Sequence, residues 1–159
     1  MKFPPVFTIT PTIAKLLYDL DVLKAGYALH PVSEEQAIHL RRASLLKSSL
    51  YSARIEGNPL ELSDVETIHE GDADRYKTEI SNLVSGYEQV SGILGERITV
   101  DHLKKLHGRV LYTLSPEAGK LRQEESAIYN QSGTVVYLTP APQDVRILLD
   151  AFCDYVNGS

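Results

Sequence analysis

Few residues in this sequence have types and spacings that suggest chemistry. Ser52 and Glu56 stand four apart in the run SSLYSARIEGNP (Ser48–Pro59), at the end of what reads as a long helix. Four-residue spacing puts both side chains on one helix face. Gly57, followed by Asn58 and Pro59, is the stop signal for that helix. Glu56 therefore falls in the last turn, where backbone carbonyls already carry partial negative charge. An exposed carboxylate there costs about 0.3–1 kcal/mol. Spacing leaves two explanations open: a surface glutamate satisfied by a nearby arginine, or a carboxylate positioned to meet a cation from another element.

Other constellations are missing. There is no Gly-x-Ser-x-Gly elbow and no His-Glu-x-x-His pair. SPEAGKL (Ser115–Leu121) has the tail of a phosphate-binding loop without its first glycine, and with leucine where Ser or Thr must follow the lysine. The histidines at 30, 39, 69, 102 and 107 lack metal-ligand spacing and have no cysteine partner. His107 falls on an apolar helical face and reads as a core histidine with one hydrogen bond. No two carboxylates pair as acid and base, so no residue is assigned as catalytic or metal-binding.

The elements that must position Ser52 and Glu56 are mainly helical. Thr10 and Pro11 open a helix with Ile13, Leu16, Leu17, Leu20 and Leu23 at helical spacing. Ser33 and Gln36 form a capping box, and Ile38, Ala43, Leu46, Leu50, Ala53 and Ile55 carry the next helix to Gly57. Ser63 with Glu66 makes a second capping box, opening a short helix to Gly71. From Asp74 to about Leu94 the apolar face is Tyr76, Ile80, Leu83, Val84, Tyr87 and Val90. Thr99 caps a helix whose expected buried face is Leu103, Leu106, His107 and Val110. A last helix after TPAPQD uses Val145, Leu148, Leu149, Phe152 and Val156. Between these two, Ala127-Ile128-Tyr129 and Thr134-Val135-Val136-Tyr137-Leu138 flank Asn-Gln-Ser-Gly, which is hairpin chemistry. The expected fold is mainly α: about six helices with one small β-hairpin.

Bulk properties narrow the function classes. The 159 residues suffice for one domain with a core. A net charge of −5 gives no electrostatic case for nucleic acid or anionic membrane as partner. The single cysteine, Cys153, rules out an intrachain disulfide and fits a reducing compartment. Its setting, DAFCDYV, reads as a core-lining helix. The proline-broken N-terminus is no signal peptide, and no apolar run approaches the length of a membrane span. A cytoplasmic location is expected. The last helix ends at DYVNGS with no further element to pack on, as in a domain that ends there or a protein cut short.

Ser52-x-x-x-Glu56-Gly57 resembles the inhibitory-helix motif of Fic proteins, (Ser/Thr)-x-x-x-Glu-(Gly/Asn). The surroundings are similar too. ITVDHLKKLHGRVL holds the family's Leu-His pair, and AGKLR supplies Gly119-x-x-Arg122. The hairpin follows where Fic proteins have their flap, and Pro140-x-Pro142 links it to the next helix. The resemblance runs in order through most of residues 33–157. It implies a Fic-like helical bundle, with a region 1–95 that includes an inhibitory helix at about 34–56. Residues 96–159 would then be the first part of a Fic core, with the flap at about 126–138.

What the resemblance implies about function is specific. Fic enzymes mostly transfer AMP from ATP, with Mg2+, to a hydroxyl of a target protein. Their inhibitory glutamate pairs with an arginine of the active-site motif and fills the space of the ATP γ-phosphate. On that basis Ser52, Glu56 and Gly57 are inhibitory residues. Ala127, Ile128, Tyr129, Thr134, Val135, Val136 and Tyr137 form the flap that docks a target protein as an added strand. A homodimer is a further possible partner. The family's active-site motif, His-Pro-Phe-x-x-Gly-Asn-Gly-Arg, is nowhere in the sequence, and His30-Pro31 leads into a capping box instead. The chain by itself is expected to be inactive and to hold no cofactor, with ATP and Mg2+ implied for a full-length relative. The alternative is a non-catalytic Fic-like module that acts on a partner protein, as an antitoxin does.

Overall fold

The computed structural model describes residues 4–65 and 74–158, with six helices and one two-stranded antiparallel sheet among them. Its internal contacts divide the chain into two compact units, Pro5–Ser44 and Leu45–Ser159, with the boundary inside one helix.

In the first unit, helix α1 (Pro11–Leu29) starts where Thr10 Oγ1 accepts from the Ile13 amide at 3.2 Å. It stops at His30, whose amide donates to the Tyr27 carbonyl. Its apolar residues are spread around the helix rather than gathered into one stripe, and none is buried. Leu16, Leu17, Leu20 and Leu23 are each at least half exposed. Helix α2 (Glu34–Ile55) begins with a reciprocal capping box. The Ser33 amide donates to Gln36 Oε1 and the Gln36 amide to Ser33 Oγ, both at 3.2 Å.

The second unit holds the core. The last three turns of α2 pack with α3 (Leu62–Val65) and α4 (Arg75–Gly92) around Leu50, Ala53, Val65 and Ile80, and Leu46, Leu60 and Leu83 lie against that cluster. Ile55, expected on the buried face, is 83% exposed, because the apolar stripe ends at Ala53. Asp74 caps α4, accepting from the Tyr76 and Lys77 amides. The face of α4 that is buried is centred on Ile80, Asn82 and Gly86, while Tyr76, Tyr87 and Val90 are exposed. The expected stripe is thus rotated: a polar Asn82 is buried because Nδ2 closes the end of α5 (Val100–Val110), donating to the Val110 and Tyr112 carbonyls at 3.2 and 2.7 Å.

Thr99 caps α5 as expected. Helix α4 packs on α5, and α5 on α6 (Pro142–Asn157), which starts two residues before Asp144, at a proline suited to a first turn. Asn157 ties the end of α6 to Ile98 through its carboxamide, Nδ2 donating to the Ile98 carbonyl and Oδ1 accepting from the Ile98 amide. Val156, expected to pack, is 40% exposed. The expected helix end at Gly71 and the Ser63–Glu66 box lie at least partly outside the described residues. No described helix is long and apolar enough to cross a membrane.

Candidate functional site: the end of α2 and the hairpin

Helix α2 ends in a Schellman motif. The Gly57 amide donates to the Arg54 carbonyl and the Asn58 amide to the Ala53 carbonyl, both at 3.0 Å. Gly57 has φ +95°, a conformation that costs a non-glycine residue roughly 1–2 kcal/mol. The stop is sharp: α2 ends at Ile55, and Glu56 is the first residue of the turn. Its side chain is exposed, that of Ser52 half-buried. Among the described residues neither side chain has a hydrogen bond or ion pair, and neighbouring Arg54 does not reach Glu56. The carboxylate is presented to solvent at the negative end of its helix, with no described cation paired to it.

What holds this end in place is a polar side chain that apolar spacing passes over. Asn58 is 5% exposed. Its Nδ2 donates to the Tyr76 carbonyl at 3.0 Å and to Glu79 Oε2 at 2.8 Å, and its Oδ1 accepts from the Leu60 amide at 3.1 Å. One side chain thereby joins the C-terminus of α2 to the first turn of α4. In the sequence, Gly-Asn-Pro reads only as a stop. The one available signal was a polar residue two places before the apolar Leu60.

The second feature is the hairpin β1 (Ala127–Tyr129) and β2 (Val135–Leu138), with Ala127 opposite Leu138, Ile128 opposite Tyr137 and Tyr129 opposite Val135. The register shifts between Ile128 and Tyr129, a β-bulge that leaves Val136 without a partner. Asn130 builds the tip: its Oδ1 accepts from the Ser132 and Thr134 amides and from the Ser132 hydroxyl. Thr134, expected on the strand, therefore belongs to the turn. At the base, Thr139 donates twice to the Ser126 carbonyl, and Arg122 donates to the Pro140 and Glu124 carbonyls. Between tip and base, Ile128, Tyr129, Val135, Val136, Tyr137 and Leu138 are all exposed. Both faces of the ribbon are bare. An open groove of about 530 Å³ lies between β2 and α6, lined by Tyr137, Leu138, Pro140, Asp144, Ile147 and Leu148.

The remaining candidates are structural. His107 is exposed rather than in the core, but it makes the one bond expected of it: Nδ1 accepts from the Gly119 amide at 3.0 Å. That bond fastens the AGKLR segment to α5, where a Cβ on Gly119 would stand 3.4 Å from the Lys104 carbonyl. Cys153 is buried, and its thiol pKa is raised, first by burial and then by the carboxylates of Asp150 and Asp154. It stays a neutral thiol at physiological pH. Among the described residues no group of three or more His, Cys, Asp or Glu side chains gathers as a metal site.

No family model matches the sequence. No curated protein matches it either. The fold does match: the crystal structure of a Fic family protein from Desulfovibrio desulfuricans G20 superimposes with a TM-score of 0.78 at 22% sequence identity. The match covers 99% of this chain and 48% of that one, so the chain spans about half the length of the protein it resembles. At that identity the likeness speaks for the fold alone. The mainly helical bundle with its one hairpin is a Fic-like fold.

Proposed function

We propose that this chain is a regulatory portion of a Fic-type adenylyltransferase, in which Glu56 suppresses AMP transfer by occupying an arginine needed for the ATP γ-phosphate. The observation that carries this reading is the unbalanced carboxylate of Glu56, held at a Schellman-stopped helix end within a Fic-like fold. A carboxylate presented this way forms charge-assisted hydrogen bonds with a guanidinium, the same bonds a phosphate would make. Ser52 stands one turn earlier on the same face, with no bond of its own among the described residues, and faces the same cation. The hairpin docks a target protein by strand addition, its apolar side chains supplying the contact and its free edge the backbone hydrogen bonds.

No residue of this chain is assigned to ATP or Mg2+. The sequence has no glycine-rich anion loop, and the described carboxylates do not gather into a cation site. No step of the transfer is therefore derived from these residues. Incubation of the chain with labelled ATP and Mg2+ tests this: no AMP is incorporated. Clear incorporation would place an active site within these 159 residues. Reading the frame past Ser159 tests the rest. His-Pro-Phe-x-x-Gly-Asn-Gly-Arg downstream supports the regulatory reading, and a stop codon supports the non-catalytic module acting on a partner protein.

A further inference from the structure

We infer that Asn58 is the residue that positions Glu56, so that the inhibition is set two residues beyond the carboxylate; this rests on the role of Glu56 proposed above. Among the described residues Glu56 makes no hydrogen bond or ion pair that could fix its direction, and its flanking residues Ile55 and Gly57 are exposed. After Ala53, the next buried residue along the chain is Asn58. Its carboxamide commits both N–H groups and one carbonyl lone pair to Tyr76, Glu79 and Leu60, while its backbone amide closes the Schellman motif on Ala53. Rotating this side chain breaks three hydrogen bonds at once, one of them charge-assisted. The Glu56 backbone is therefore fixed relative to α4 while its side chain stays free. That is a preorganised ligand for a cation: pairing with an arginine need not first order the helix end. Glu79 belongs to the same device, because Asn58 is the group that receives its half-buried carboxylate.

Two substitutions separate positioning from mere stability. Asn58→Asp keeps the shape and the acceptor for Leu60 but removes both donors and sets a second carboxylate against Glu79. Adding Glu79→Gln returns a donor, so the link between positions 58 and 79 re-forms with reversed polarity. In this chain, amide hydrogen exchange at Gly57 and Asn58 should quicken about tenfold or more in Asn58→Asp, a local opening, with α5 and α6 amides unchanged. The double variant should recover part of that protection, because the bond to the Tyr76 carbonyl stays lost. Asn58→Ser, uncharged and still an acceptor, takes the place of Asn58→Asp if the latter loses the fold.

The second readout is AMP transfer by the frame continued through the arginine-bearing motif. There Asn58→Asp should raise transfer, and should add nothing in a Glu56→Gly background. Unchanged exchange at Gly57 and Asn58 overturns the inference, as does a Glu56→Gly that activates while Asn58→Asp does not. If Glu56→Gly itself is silent, or no such motif follows, the functional reading of Glu56 fails. The exchange data then decide the anchoring role of Asn58 alone.

Discussion

The end of α2 and the hairpin both present free groups to solvent, but they are secured in opposite ways. At the end of α2, the buried carboxamide of Asn58 and the Schellman turn at Gly57 fix the backbone, and one charge is left bare. In the hairpin, bonds close the tip at Asn130 and the base at Ser126, Thr139 and Arg122, and the apolar side chains between them are left largely open to solvent. An isolated two-stranded ribbon is marginal in water, so this one can adjust to what covers it. A fixed charge suits a partner whose position is known in advance, such as an arginine of the same protein. An adaptable apolar ribbon suits a partner that arrives from outside.

Substitutions can break or sharpen that contrast, and the largest effect lies under the α2 end. Ile80 is fully buried in the cluster that supports it. Ile80→Ala should lower unfolding free energy by about 2–5 kcal/mol in a urea titration. A loss under 1 kcal/mol there would mean that the cluster does not hold the α2 end. Next comes the turn. A Cβ at Gly57 meets no atom within 4 Å, so Gly57→Ala costs only the backbone term, roughly 1–2 kcal/mol. A neutral result would show that the Schellman turn relaxes freely and that Glu56 is not held.

Ser49 offers a change of opposite sign. Its hydroxyl is fully buried with no hydrogen-bond partner among the described residues, so Ser49→Ala should stabilise by about 1–3 kcal/mol. A melting temperature that fails to rise would reveal a partner for that hydroxyl. The smallest effect belongs to the hairpin: Ile128 is 55% exposed, and Ile128→Ser should shift stability by less than about 0.5 kcal/mol. If it destabilises by several times that, the ribbon is packed on something and is not an adaptable surface.

The fold was largely legible where local chemistry decides it. Thr10, Ser33 with Gln36, and Thr99 all cap the helices they announce, and Gly57 stops α2 as its neighbours suggest. The hairpin, too, follows from turn formers between β-branched and aromatic arms. Legibility failed where a residue answers to a distant partner. Asn82 is buried because α5 ends against it, and Asn58 because α4 begins there. Both are polar, so a pattern of apolar spacing passes over them. The same limit explains α1, whose leucines keep helical spacing yet have no buried face. Of the candidate site, the bare carboxylate could be located from Gly57 alone. The device that holds it could not.

The central claim is that Glu56 competes with the γ-phosphate of ATP for an arginine. The most direct test is labelled-ATP binding and AMP incorporation by the reading frame continued through the arginine-bearing motif, with and without Glu56→Gly. The account predicts that Glu56→Gly raises both by at least about tenfold, the equivalent of losing one charge-assisted contact that excludes the phosphate. Equal binding and equal incorporation in the two proteins would contradict it.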